Sequence, residues 1–340
     1  MAGQKRTRLG SSALQRGLAV SAVFAALLFC VTAVRVLEDR MSVKIENAGM
    51  QMTAHTNTRS TAQVFMNEKW YAERNIDALL VMGVDDYGSL MTTDTYNNAH
   101  QADFLVLFLR DIDTGRTAAI HLNRDIMTDI MIFGVTGEPV GTRRAQLALA
   151  YNYGEGDAGS SSNVVSAVEH LLYGIDIDHY ITITMDAVPI LNDWVEGVPI
   201  EILDDFTDID HALIRGELVR LNGQQALAYV RTRRGLDDST NLHRMERQRQ
   251  YASEWVKSAQ DKLKDAQAVS DLVLRLNDHY RSNATIEQLA IYAESLSNNP
   301  SMTVYEIDGN AVQGEVYMEY HVNEAELQQL VLKLFYAPVE

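Results

Sequence analysis

Cysteine is almost missing from this sequence: Cys30 is the only one, so the chain closes no disulfide on itself and builds no cysteine-ligated metal site. Positive charge is scarce too. There are 29 Lys and Arg against 46 Asp and Glu, a formal net charge of −17. That balance argues against nucleic acid as a partner, because duplex binding relies on broad Lys/Arg neutralisation of phosphates. Internal repeats and low-complexity tracts are absent, and so is any linker-like break after residue 76. No Walker pattern occurs, and no Ser-His-Asp signature of a covalent nucleophile. The stretch Asp111–Arg116 opens like a calcium loop, but Arg116 stands where the sharp-turn glycine belongs and Leu122 where the bidentate Glu belongs.

What is present begins with a membrane signal. Residues 1–17 carry Lys5, Arg6, Arg8 and Arg16 and no acid, and an apolar run follows from Leu18 to Val34. Its length, about 17 residues, is at the short end for a bilayer-spanning helix. The expectation is an uncleaved single-pass anchor over 18–34. The basic tail 1–17 then stays in the cytoplasm and the rest lies outside the cell membrane. A cleaved signal peptide is the competing reading, with a shorter apolar core and a better cleavage motif than this one. Residues 35–75 read as a polar juxtamembrane helix or spacer, and 76–340 as one domain, long enough for a well-buried core.

Within that domain apolar runs alternate with helical periodicity. Strands are expected at Asp77–Val84, at 104–110, at 117–123 after a hairpin turn over Asp111–Arg116, at Asp178–Thr184, Gly197–Leu203 and Met302–Ile307. Helices are expected from Arg143 to Tyr151, Asn163 to Tyr173, Asp186 to Trp194, Trp255 to Leu263, Val269 to Leu276, Ile286 to Leu296 and Glu324 to Phe335. Gly154–Ser162 reads as a loop with a serine cap, and Asp204–Arg215 as an acidic loop. This is an α/β pattern: a mixed sheet with helices on both faces.

The densest chemistry lies between Tyr229 and Tyr251. Six arginines (231, 233, 234, 244, 247 and 249) and no lysine fall in this stretch of an acidic protein. Guanidinium forks onto two oxygens of a phosphate or carboxylate, whereas ammonium is only a point charge. Ala226–Arg233 reads as a strand with Arg231 and Arg233 on one face. Asn241 or a neighbour caps the next helix, where Arg244, Arg247, Gln248 and Tyr251 recur at three- and four-residue spacing and share a face. Two arginines from each element converge on one diphosphate-sized anion, or else pair in solvent with Asp237, Asp238 and Glu246.

Asp85 and Asp86 end one apolar run and Asp103 opens the next, so Asp85 and Asp103 fall side by side on adjacent strands. Paired carboxylates without Cys or His suit a hard cation such as Mg2+, which shares its coordination with water and substrate phosphate. Acids at strand ends also cap loops. Arg124 emerges at the end of the strand 117–123.

The segments LLVMGVDD (79–86), HLNRDI (121–126), LNGQQALAYVRTR (221–233) and NLHRMERQRQ (241–250) occur in the order found in the LytR-CpsA-Psr family of cell-wall glycopolymer transferases, which the chain resembles from Asp77 to its end. The resemblance implies a three-layer αβα sandwich outside the membrane, behind one N-terminal transmembrane helix. It implies a phosphotransferase that moves a glycopolymer, of teichoic acid or capsular polysaccharide type, from a polyprenyl-pyrophosphate carrier to peptidoglycan. Carried over by position, Asp85 and Asp103 match the Mg2+-binding acids. Arg124 matches the arginine of the Pro-Arg-Asp motif, and an acid such as Asp103 or Asp125 is expected to take the proton from the acceptor hydroxyl. Arg231, Arg233, Arg244, Arg247 and Gln248 match the pyrophosphate-facing set, and Arg144 a family Lys or Arg. Three departures stand out: Gln101 where the family usually has Arg, Asn123 where it has Pro, and Asn241 and His243 where many members have Asp and Gly. The Gln101 departure keeps open a non-catalytic membrane-anchored lipid-binding or regulatory protein, and a pyrophosphate hydrolase would differ only in using water as acceptor.

Overall fold

The computed structural model describes residues 63–339 apart from 67, 87–99, 135, 155, 233–235, 237–240, 260–261, 263–265, 286–287, 290, 293–294 and 296–301. The apolar run expected to anchor the chain, 18–34, lies outside these residues. Among the described residues no helix is long and apolar enough to cross a membrane.

Ile76–Val84 is apolar at nearly every position because both of its faces are covered. It lies inside a six-stranded mixed sheet with the order 280–282, 179–184, 76–84, 102–111, 117–122, 303–306. It runs antiparallel to Ala102–Asp111 and parallel to His179–Thr184. Ala102–Asp111 turns back into Thr117–Leu122 through the expected hairpin, with Gly115 at φ +68°, where a side chain would be strained. Strand periodicity then divides the core. Leu79 and Val81 point to one face, among Trp194, Tyr229, Tyr251 and Trp255. Leu80, Met82 and Val84 point to the other, among Leu147, Val164, Val168 and Phe335. Helices Ala187–Trp194, Gly223–Arg231 and Asn241–Ala259 therefore cover one face, and Gly156–Leu171 and Glu324–Phe335 the other.

Four local expectations are corrected. The segment expected as the strand 226–233 is the helix Gly223–Arg231. A capping box starts it, with Asn222 accepting from Gln225 N–H and Gln225 returning to Asn222 N–H, and its buried Ala226, Tyr229 and Val230 follow helical spacing. Arg143 and Arg144 do not open a helix. They lie on the strand Pro139–Gln146, paired with Met127–Phe133, and the helix beyond is only Leu149–Asn152. The glycine- and serine-rich loop is already helical from Gly156. Inside the presumed spacer, Gln63–Met66 and Lys69–Glu73 form a hairpin whose second strand pairs with Tyr336–Pro338, so the folded unit includes residues before 76. A further hairpin, Gly309–Gln313 with Met318–Val322, had no counterpart in the sequence reading.

Candidate functional site

The site begins with an irregularity in the sheet. Pairing between Ile76–Val84 and Ala102–Asp111 shifts by one residue after Gly83, so Asp103 is the extra residue of a bulge. Gly83 allows this close approach, since a Cβ there would lie 3.0 Å from that of Phe104. Beyond the bulge Asp85 and Gln101 close on each other: Asp85 N–H donates to Gln101 O at 3.1 Å, and Gln101 N–H donates to Asp85 Oδ1. Asp85 and Asp103 are thus brought together at one end of the two central strands.

Two arginines from different elements meet on Asp103. Arg124, in the turn after Thr117–Leu122, donates through Nη1 to Asp103 Oδ1 and through Nη2 to Gln101 Oε1. Arg244, one turn into the helix Asn241–Ala259, donates to Asp103 Oδ2 at 2.9 Å. Both side chains are nearly buried. Arg231 joins them from the last turn of the helix Gly223–Arg231. Together with Asp85, Gln101 and Thr232 they line an open cavity of about 540 Å³.

A second layer of amides holds these groups. Asn123 Oδ1 accepts from Asp125 N–H at 3.0 Å and from Asn241 Nδ2 at 2.6 Å, while Asn241 Oδ1 accepts from Arg244 Nη2 at 2.6 Å. Asp125 is buried beside Arg124, 3.4 Å from its Nε, and accepts from Gln146 Nε2 at 2.9 Å. It lines a neighbouring cavity of about 580 Å³ that shares Gln101 and Arg124 with the first.

The other sequence candidates go elsewhere. Arg247 is 0% exposed, and its guanidinium is spent on Asp204 Oδ2 and on the carbonyls of Tyr229 and Thr232, with Phe206 stacked 5.3 Å away. Gln248 donates to the Val230 carbonyl at 3.2 Å. The pair thereby satisfies the open carbonyls at the C-terminal end of the helix that carries Arg231. Arg144 is exposed opposite Asp129 on the hairpin 127–146 and lines neither cavity. Arg233 lies outside the described residues.

Two contributors were missed. Asp204 was read only as part of an acidic loop, and nothing in its spacing marks it as the partner of Arg247. His121 is buried, and its Nδ1 accepts from Arg249 Nη1 at 3.2 Å. Burial, then the charges of Arg249 and Arg244, hold its imidazole well below the ordinary 6.5, so it stays neutral.

This arrangement can grip an anion with several guanidinium groups and offers two carboxylate oxygens to a hard cation. Polyisoprenyl-teichoic acid--peptidoglycan teichoic acid transferase TagU of Halalkalibacterium halodurans is 28% identical over 257 residues, covering 70% of this chain and 77% of the relative. The crystal structure of protein gbs0355 from Streptococcus agalactiae is similar with a TM-score of 0.61 at 19% identity, over 76% of this chain and 86% of that one. That of Bacillus subtilis TagV gives 0.56 at 20% identity, over 77% and 96%. These two structural likenesses speak to the fold alone. The LytR_cpsA_psr family model matches residues 40–335, and over that length the chain belongs to the LytR_cpsA_psr family.

Proposed function

We propose that the protein is a phosphotransferase that moves a teichoic-acid-type glycopolymer from a polyprenyl-pyrophosphate carrier to a peptidoglycan hydroxyl. The observation that carries this reading is the meeting of Arg124, Arg231 and Arg244, from three separate elements, around one cavity with Asp85 and Asp103. The relative's name, a teichoic acid transferase acting on peptidoglycan, supports the substrate class.

The arginines bind the pyrophosphate and stabilise the charge that develops on its oxygens. The acceptor hydroxyl attacks the sugar-proximal phosphorus and forms the new O–P bond. The bond to the bridging oxygen breaks, and polyprenyl monophosphate leaves with its electron pair. Asp125, buried beside Arg124, is our choice to take the hydroxyl proton. Such a reaction needs positioning and electrostatics rather than a covalent nucleophile.

The donor set suits Mg2+. Asp85 and Asp103 would supply two hard oxygen ligands, and among the described residues no cluster of three or more His, Cys, Asp or Glu would hold a metal unaided. The remaining ligands would be phosphate and water. When bound, Mg2+ neutralises phosphate charge in the transition state. Asp103 also neutralises Arg124 and Arg244, which keeps the two guanidinium groups gathered at the cavity. The apolar run 18–34 would hold the domain outside the cell membrane beside its lipid substrate.

The full chain, incubated with lipid-linked glycan, Mg2+ and a soluble peptidoglycan fragment, tests this. Glycan joined to the fragment through a phosphodiester is expected. Release of free phosphoglycan would make the protein a hydrolase, and intact lipid throughout would make it a binding protein.

A further inference from the structure

The cavity of about 580 Å³ beside the arginine site is lined by Asp125, the base assigned to the acceptor hydroxyl, and has had no occupant assigned to it. Its walls are of two kinds. The floor is polar, built from Asn123, Asp125, Gln146 and Asn241. The roof is the hairpin Gly309–Gln313/Met318–Val322 with its connecting turn, which contributes Gln313, Val316, Tyr317 and Met318. Leu242 sits at the rim, 45% exposed, and Val316 is 82% exposed.

Roof and floor are fixed to each other. Tyr320 N–H donates to Asp125 O at 2.8 Å, and Ile126 bridges Tyr320 in parallel register. Gln146 Nε2 donates both to Asp125 Oδ1 and to Met318 O, at 2.9 and 2.7 Å. The space between them is therefore pre-formed, and its volume falls in the range of small-molecule sites, ~300–1,000 Å³. An isoprenoid chain would strip water from the amides and the carboxylate of the floor without replacing its hydrogen bonds, a costly burial. A pyranose ring has the matching duality: hydroxyl edges for the floor, and a C–H face for Tyr317 and the apolar roof. Because Gln101 and Arg124 line both cavities, a sugar held here presents a hydroxyl to the phosphate site.

We propose that this hairpin-roofed cavity is the subsite for the acceptor saccharide, with Tyr317 and Gln313 as its specificity-determining residues. The inference rests on the glycopolymer-transfer reading and adds the acceptor's seat to it.

Calorimetric titration of the full chain with a soluble disaccharide-repeat peptidoglycan fragment tests the seat apart from turnover. Wild-type binding is expected, weakened about tenfold in Tyr317→Ala and in Gln313→Ala, two variants whose melting checks that they fold. The proposal fails if the wild type does not bind the fragment, or if both folded variants bind it as tightly as wild type. It also fails if the variants lose affinity for the lipid-linked donor instead, which would give the cavity to the donor. Intact fragment binding with no glycan transferred would leave the subsite standing and overturn the transferase reading.

Discussion

Asn241 Nδ2 donates to Asn123 Oδ1 at 2.6 Å, which joins two positions where the chain departs from the family's pattern. The contact matters because Asn241 also accepts from Arg244, and Asn123 also orders the backbone of Asp125. An Asp at 241 would keep the bond to Arg244 but set a carboxylate oxygen against the Asn123 carbonyl. Asn241→Asp alone is therefore expected to lose stability and transfer activity. Adding Asn123→Pro, which removes the opposed oxygen, should recover part of both. A double-mutant cycle is expected to give a coupling of about 0.5–2 kcal/mol in urea unfolding. Additive effects would mean that the two residues do not act through this contact.

Arg247 and Arg244 lie one turn apart on the same helix, yet they should fail differently. Arg247→Ala leaves Asp204, 3% exposed, without its guanidinium and opens the carbonyls of Tyr229 and Thr232. Breaking a buried pair in this way costs about 3–5 kcal/mol, so a large fall in the unfolding midpoint is expected. Arg244→Lys keeps the charge but loses the fork that spans Asp103 and Asn241. It is expected to melt within a few degrees of wild type and to transfer at least about tenfold more slowly, because a point charge cannot replace a bidentate donor. If Arg247→Ala proved stable but unable to bind pyrophosphate, the structural role assigned to it would be wrong.

The reach of the sequence reading follows from what kind of signal each part leaves. The buried strand Ile76–Val84 was legible because an apolar run covered on both faces has little else to be. Asp85 and Asp103 were legible as neighbours because one apolar run ends in an acid where the next begins with one, and the two runs pair antiparallel. The helix Asn241–Ala259 announced itself through three- and four-residue spacing. Gly223–Arg231 did not, because Tyr-Val-Arg-Thr-Arg also alternates, and the deciding capping box lay upstream of the stretch being read. Equal spacing on a helix also could not separate Arg244 from Arg247: which arginine faces a ligand and which faces a buried acid depends on the loop carrying Asp204, brought there by tertiary packing. The roof of the second cavity escaped notice because its strands are short and largely exposed, with little apolar pattern to find.

Asp85 and Asp103 make different predictions for metal dependence. Asp85 Oδ1 accepts from the Gln101 backbone N–H, while both oxygens of Asp103 are held by arginines. Asp85→Asn should thus raise the Mg2+ concentration needed for half-maximal transfer by about tenfold or more without disturbing the arginine cluster. Asp103→Asn should also scatter Arg124 and Arg244, so it is expected to weaken pyrophosphate binding even without Mg2+. A Mg2+ titration curve for Asp85→Asn that overlays wild type would remove this acid from the metal site.

His121 gives the fold an acid limit whose sign can be worked out. It is buried against Phe104, faces Arg249 and Arg244, and Arg249 in turn pairs with Glu306. Its folded pKa lies below the ordinary 6.5, so above 6.5 both folded and unfolded chains carry it neutral and it costs nothing. As pH falls below 6.5 the unfolded chain takes up a proton that the folded chain refuses. Stability then drops by up to about 1.4 kcal/mol per pH unit until the folded pKa is reached. Asn at this position keeps an oxygen acceptor for Arg249 and does not titrate. Urea unfolding of wild type and His121→Asn between pH 7.5 and 5 should therefore show the wild type losing stability more steeply below about pH 6.5, the model-compound histidine value. Parallel curves would mean that His121 takes up its proton as readily in the folded protein as in the unfolded chain.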